Sequence, residues 1–202
     1  MRSAIHALKY ERIAPVSRKL GSLLAAVIAD LISSSDAGEL SDMLIVPVPL
    51  HSARLSQRGF NQARALATDA LRSLRRSNPE WKLELSPSSL VRQRSTESQA
   101  GLTPRQRRLN LRGAFFVSKS ETIRERHILL VDDIFTTGAT ARACSRALLD
   151  AGAASVHVAT LARAQRRTPR LFVEEQEYLN ELGRGSFVAA SDSDAGPSVT
   201  VH

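Results

Sequence analysis

Cysteine is almost missing from this chain: Cys144 is the only one in 202 residues. A single thiol can form neither an intrachain disulfide nor a Cys-rich zinc site. Cys144 falls inside an apolar helical pattern and reads as a small buried hydrophobe. Aromatic residues make up only 4%, which argues against a surface that stacks the bases of a single strand on rings. Acids are outnumbered, 20 against 28 Lys and Arg, leaving a net charge of +8. That balance favours anionic partners: phosphorylated metabolites, nucleic acid or acidic lipid. Long apolar runs are missing as well. The best candidate, residues 23–32, is short and broken by Asp30, below the length a bilayer requires. The N-terminus carries Lys9, Glu11 and Arg12 and lacks the apolar centre of a signal peptide. A soluble, cytoplasmic protein without a membrane span is the expectation.

What is present supports one ordinary α/β domain. Hydrophobic residues reach 43%, enough for a core with a small appendage. Leu20, Leu23, Leu24, Val27, Ile28 and Leu31 recur at helical spacing and predict an amphipathic helix over residues 17–33. Residues 43–49 form a short apolar run ending in prolines, a buried strand. A helix is expected over 59–73, with Ala63, Leu66, Ala67, Ala70 and Leu71 on one face. Residues 86–111 are polar, carrying Arg92, Arg94, Arg105, Arg107 and Arg108 against the acid Glu97, and read as a long functional loop. Strands are expected over 113–118, 127–132 and 155–161, with a helix over 138–151 closed by Gly152. Strand, helix, strand in this order implies a parallel sheet. Beyond Arg163 the signal fades into a weak helical pattern over 171–182 and a loose Ser-, Asp- and Gly-rich tail over 186–202.

The informative segment runs from Ile128 to Thr140: Ile-Leu-Leu-Val-Asp-Asp-Ile-Phe-Thr-Thr-Gly-Ala-Thr. Asp132 and Asp133 stand where the apolar strand stops, at the carboxyl end of the sheet, where open α/β folds bind ligands. Two adjacent carboxylates repel and call for hydrogen-bond donors or a cation nearby; ribose hydroxyls with Mg²⁺ provide both. Thr136, Thr137, Gly138, Ala139 and Thr140 then turn the chain into a helix. Gly138 lets the backbone approach a ligand, the free amides and the helix dipole favour an anion, and the threonines add hydroxyl donors. Alone, the Asp pair fits a helix cap and Thr-Thr-Gly fits a common turn. Joined between a buried strand and a helix, they form a phosphate cup beside a diol clamp.

This segment resembles the sugar-phosphate motif of type I phosphoribosyltransferases. The closer resemblance is to the ComF family, tied to competence and the use of external DNA. It is carried by Val46-Pro-Val-Pro-Leu-His51, Arg58-Gly-Phe-Asn-Gln62, Arg92-Gln-Arg94, Thr96, Gln99, Leu102, Arg108, Asn110, Gly113-Ala-Phe115 and the early His6-Ala-Leu-Lys-Tyr10. It covers residues 5–163. The fold implied is a type I phosphoribosyltransferase fold: a central, mainly parallel sheet flanked by helices, with a flexible hood loop. Residues 1–165 would be that domain and 166–202 a partly disordered C-terminal extension.

The resemblance also implies function. The ligand would be 5-phosphoribosyl-1-pyrophosphate (PRPP) with Mg²⁺, which Asp132 and Asp133 would hold indirectly. Residues 50–61 and 92–108 become the candidates for the pyrophosphate loop and hood. Arginine forks suit pyrophosphate oxygens, so Arg58, Arg92 and Arg94 lead, followed by His51, Asn61 and Lys9. The catalytic set expected is Asp132, Asp133, Arg58 and Arg94. Thr136 stands where transferases acting on 6-oxopurines commonly carry Asp, and it cannot serve as a carboxylate base. The acceptor would be another nucleobase or an amine. Alternatives are a non-catalytic PRPP sensor and a factor handling single-stranded DNA. Expected partners beyond PRPP are DNA-uptake proteins or single-stranded DNA, and a second copy in a homodimer. Members usually begin with a four-Cys zinc domain that this sequence lacks, so the expectation is a short form or a start set too far downstream.

Overall fold

The computed structural model describes residues 14–35, 40–93, 111, 113–163 and 187–189. Lys9, Arg94, Thr96, Gln99, Leu102, Arg105, Arg107, Arg108, Asn110 and the weak helical pattern over 171–182 lie outside them. Helix α1 (Ala14–Ser33) precedes strand β1 (Leu44–Pro47), the short helix α2 (Ser52–Arg58) and helix α3 (Gln62–Ser77). Strands β2 (Glu84–Leu85), β3 (Leu90–Arg92) and β4 (Phe115–Val117) follow, then the single turn α4 (Ser120–Ile123). Strand β5 (His127–Phe135), helix α5 (Ala139–Asp150), strand β6 (Ser155–Arg163) and strand β7 (Phe187–Ala189) complete the order.

The main sheet runs β2-β1-β5-β6-β7, and every neighbouring pair in it is parallel. Strands buried on both faces need apolar side chains on both, so their sequences read as unbroken apolar runs. Alternation then sorts the residues between two cores. Leu44, Val46, Ile128, Leu130, Val156 and Val158 pack with Ala141, Cys144 and Leu148 of α5. Ile45, Leu129, Val131, Ala159 and Leu161 pack with Leu24 and Ile28 of α1 and with Leu66, Ala70 and Leu74 of α3. The helices α1 and α3 cross closely because residue 21 is glycine: a Cβ there would stand 2.5 Å from Cβ of Asp69.

Several elements depart from the sequence expectations. The stretch taken as one loop from residue 86 contains β3, which pairs antiparallel with β4 through Val91↔Phe116 and Arg92↔Phe115. The ribbon is fastened at its open end by Ser118 Oγ donating to the Ser88 carbonyl at 2.7 Å. The segment taken as a loop over 50–61 contains α2, capped by His51, whose Nδ1 accepts from the Ala53 amide at 3.3 Å. Gly59, at φ 74°, ends it. No residue of α2 is fully buried, so it has no apolar stripe to announce it. Finally, part of the region read as a loose tail supplies β7, whose Phe187, Val188 and Ala189 pair with Val158, Ala159 and Thr160. Three residues are too few for a periodic signal; the partner strand makes this one.

Candidate functional site

Strand β5 carries the chain from a fully buried base, Ile128–Val131, to the partly buried Asp132 and Asp133. Up to Asp132 the side chains alternate between the two cores. Ile134 then packs with the α1/α3 core and Phe135 with the α5 core, so the alternation slips by one residue at Asp133. The pairing lapses there too: Asp132↔Thr160 is followed by Ile134↔Ala162. Such a slip re-aims side chains at a strand's end. Each carboxylate accepts the amide that follows it, Asp133 N to Asp132 Oδ1 at 2.9 Å and Ile134 N to Asp133 Oδ1 at 2.8 Å. These bonds help fix the direction of both carboxylates.

The next turn leads the chain from β5 into α5. Gly138 has φ 68°, a backbone region costly for any residue with a Cβ. As N-cap of α5 it offers no side-chain hydrogen bond, which leaves the first amides of the helix for an anion. Arg142 on the same helix donates to the Thr137 carbonyl and holds the turn. Thr136 is exposed, Thr137 and Thr140 are partly buried, and Gly138 and Ala139 are buried. Phe135 turns inward at 7% exposure, and the Arg163 guanidinium stands 5.7 Å from the centre of its ring. The ring is therefore part of the core and the sheet edge.

The structure brings Arg92 to this place from forty residues upstream. Its side chain is almost buried, and the guanidinium lies 5.4 Å from the centre of the Phe115 ring. Burial and then the positive charge of Arg54 push Arg92 below the usual arginine value, while Cys144 and Asp132 oppose them. Arg92, Arg54, Asp132 and Cys144 therefore share one neighbourhood. Cys144 is fully buried, and burial, then Asp132, push its thiol well up, with Arg92 opposing. It stays a neutral thiol beneath the carboxylate, as its reading as a buried hydrophobe requires.

Arg54 is the residue the sequence reading missed. Along α2, residues 52, 53, 55, 56 and 57 are exposed, whereas Arg54 and Arg58 are partly buried. Residues four apart share a helix face, so the side that α2 turns to the protein carries two guanidiniums. The Arg-x-x-x-Arg spacing was the available signal. Helix α2 follows the carboxyl end of β1, where the Val48 amide donates to the Val131 carbonyl at 2.8 Å. That bond sets α2 beside the last residues of β5. Asn61 has a structural job: its Oδ1 accepts from the Arg64 amide at 3.2 Å and its Nδ2 donates to the Val48 carbonyl at 3.0 Å. His51 likewise caps α2. Lys9 and Arg94 fall outside the described residues.

Among the described residues, no group of three or more His, Cys, Asp or Glu converges as a metal cage, and no helix is long and apolar enough to cross a membrane. Asp132 and Asp133 fit a hard, oxygen-seeking cation such as Mg²⁺, which typically takes one or two carboxylates and completes its shell with ligand oxygens and water.

The phosphoribosyl transferase domain family matches residues 22–178. Over 159 residues the chain is 35% identical to the DNA utilization protein YhgH of Escherichia coli O157:H7, covering 79% of this chain and 65% of that protein. It is 38% identical over 122 residues to Competence protein F of Haemophilus influenzae, covering 59% of this chain and 50% of that one. Competence protein ComFC of Bacillus subtilis is 35% identical over 122 residues, 60% of this chain and 45% of the relative. Among solved structures, the glutamine phosphoribosylpyrophosphate amidotransferase of B. subtilis superposes with a TM-score of 0.51 at 16% identity, over 90% of this chain and 38% of that one.

Proposed function

Because this chain belongs to the phosphoribosyl transferase domain family, and its curated relatives include ComF-type competence proteins, we propose that it binds PRPP at the carboxyl end of β5. The observation that carries the reading is the sequence of environments along one segment. Two fixed carboxylates are followed by a glycine at φ 68° and a helix start with no side-chain cap. Asp132 and Asp133 accept the 2- and 3-hydroxyls of the ribose, and the first amides of α5 with Thr137 and Thr140 take the 5-phosphate. Arg92, Arg54 and Arg58 face the pyrophosphate, with Arg94 added from beyond the described residues. Mg²⁺, held indirectly by Asp132 and Asp133, would neutralise charge on the leaving group.

The reaction proposed is transfer of the phosphoribosyl group to a nitrogen acceptor. The bond from C1 to the pyrophosphate oxygen breaks, the ribose gains oxocarbenium character, and the acceptor's lone pair forms the new C1–N bond. Pyrophosphate leaves with the bonding electrons, and the guanidiniums stabilise the charge it takes. The acceptor, a nucleobase or an amine, then loses its proton. Thr136 offers no carboxylate for that step, which favours an acceptor that needs no protein base. The relatives' names, which speak of DNA utilization and competence, support a role for this reaction in the use of external DNA, in the cytoplasm.

Calorimetric titration of PRPP with Mg²⁺ tests the reading. The wild type should bind, and Asp132→Asn/Asp133→Asn should lose binding by at least tenfold. A screen of bases and amines for pyrophosphate release then separates a transferase from a PRPP sensor. Wild-type protein that binds no PRPP sinks the proposal.

A further inference from the structure

Three large apolar side chains are exposed among the described residues: Leu23, Leu55 and Phe116. Leu55 lies on α2 and Phe116 on the β3-β4 ribbon, the elements that carry Arg54 and Arg92 to the proposed sugar-phosphate site. Leu23 lies elsewhere, on α1. The sequence reading grouped it with the buried stripe of that helix, yet it is 44% exposed. Leu20, Leu24, Ile28 and Leu31 of α1 fill the core, and the close crossing at Gly21 seats the helix on α3. The outward face of α1 is therefore held in place and open to solvent. One exposed leucine by itself asks for no explanation; its neighbours decide.

Lys19, Leu23, Ala26 and Asp30 are all exposed and follow one another at steps of four, three and four residues. That is the spacing of a seam between two packed helices. Its ends carry opposite charges, and neither Lys19 nor Asp30 forms an ion pair among the described residues. The order of the charges runs against the helix itself. Helix α1 has no acid in its first turn and no base in its last. Asp30 stands in that last turn, where the macrodipole disfavours an acid. An antiparallel neighbour of the same sequence removes the mismatch: its basic end lies beside Asp30 and its acidic end beside Lys19. Arg18 lines the groove toward α3 and stays out of the seam.

We propose that two copies of this chain pair through the outer faces of α1, antiparallel about a two-fold axis between Leu24 and Ala25. Such an interface is self-complementary, so residues equally far from the axis face each other. Lys19 lies five residues before Leu24 and Asp30 five after Ala25, so each end of the seam closes with an ion pair. Leu23 and Ala26 flank the axis, so the leucine of each copy lies over the small side chain of the other. The seam spans about 16 Å at the helical rise per residue. That length puts it at the small end of protein interfaces, below roughly 1,200 Å². The dimer is therefore weak and reversible, and its two ion pairs select the partner more than they hold it. This does not rest on the sugar-phosphate reading.

The test is sedimentation equilibrium of the full chain over a concentration series reaching the high micromolar range. Wild type should shift from monomer toward dimer. By symmetry, Lys19→Glu sets acid against acid twice, and Asp30→Lys sets base against base twice. Each should weaken self-association by roughly tenfold or more, since one exposed pair is worth up to about fivefold. Mixed in equal amounts, the two variants should associate at least as tightly as wild type, because both ends of the seam then pair opposite charges. Lys19→Glu/Asp30→Lys in one chain should restore self-association for the same reason. Added salt should shrink all these differences. At concentrations where wild type is monomeric, both single variants should melt at or above its midpoint, because the new charges suit the helix dipole. Wild type that stays monomeric throughout overturns the proposal. So do single variants that dimerise as wild type does, which would place the interface elsewhere, and a mixture that gains nothing, which would exclude the antiparallel pairing.

Discussion

A nearly buried guanidinium with a second one close by survives only because something nearby balances it. Arg92 is in that position, with Arg54 opposing its charge and Asp132 supporting it. In the proposed complex, pyrophosphate adds further negative charge beside them. Arg92→Ala and Arg54→Ala should each weaken PRPP binding by roughly tenfold to a hundredfold, the range of one charge-assisted hydrogen bond. Ribose 5-phosphate, which lacks pyrophosphate, should bind each variant within about twofold of wild type. Equal losses for both ligands in calorimetry would mean that the arginines maintain the fold instead. This neighbourhood was not visible in the sequence: Arg92 and Asp132 come together only after β3 folds over the α5 face. Asp132, Asp133 and Gly138 were legible because they lie on one continuous segment whose roles follow from local geometry. At the other end of the sheet, His127 Nδ1 and His157 Nε2 both meet Ser155 Oγ, at 2.8 and 3.0 Å. Burial, then the nearby His127, hold His157 down from 6.5 to about 4. The unfolded chain takes up this proton near pH 6.5 and the folded one only near pH 4, so acidification through that window favours unfolding. Stability should fall by about 2 kcal/mol between pH 7.5 and pH 5 from this group alone. In urea titrations at the two pH values, His157→Gln should remove that part of the difference; an unchanged difference would assign it to other groups.

At the scale of elements, how well the sequence announces a segment depends on how that segment is held. Strands β1, β5 and β6 are buried on both faces by α1, α3 and α5, so continuous apolar runs announce them. Strands β2, β3 and β7 have two or three residues each; neighbouring strands define them, and no pattern that short can. Helix α2 is held by caps and by two half-buried arginines, which sequence periodicity reads as polar loop. The α1/α3 crossing is a sharper case, because one glycine sets it. In Gly21→Ala the new Cβ would lie 2.5 Å from Asp69 Cβ, 3.0 Å from the Asp69 carbonyl carbon and 3.1 Å from the Ala70 nitrogen. Backbone atoms cannot step aside cheaply. The overpacking cost of roughly 1–3 kcal/mol should exceed the helix-propensity gain of up to ~1 kcal/mol. A lower urea midpoint is the expected result, and a raised one would show that the helices separate without penalty.

For the molecule as a whole, the question is where the folded unit ends. The family resemblance placed the boundary near residue 165, where the sequence signal also fades. The sheet argues for a later one. Val158, Ala159 and Thr160 of β6 are 1%, 0% and 0% exposed, and the strand that pairs with them on the outer side is Phe187–Ala189. Helix α1 also packs against both β6 and β7, so the same core extends across the boundary. Ending the chain at Gln165 would turn β6 into an edge, with unpaired amides and carbonyls and newly wetted apolar side chains. Each lost backbone hydrogen bond costs about 1 kcal/mol, and a loss of two or three lowers the thermal midpoint of a domain this size by about 5 °C or more. A chain ending at Ala190 should melt with the full-length protein, while one ending at Gln165 should melt earlier and aggregate through the bared edge. Because β6 also pairs with Asp132 through Thr160, the shorter chain should bind PRPP more weakly as well. Equal midpoints for the two truncations would return the boundary to residue 165 and make β7 an attachment to a sheet that is already complete.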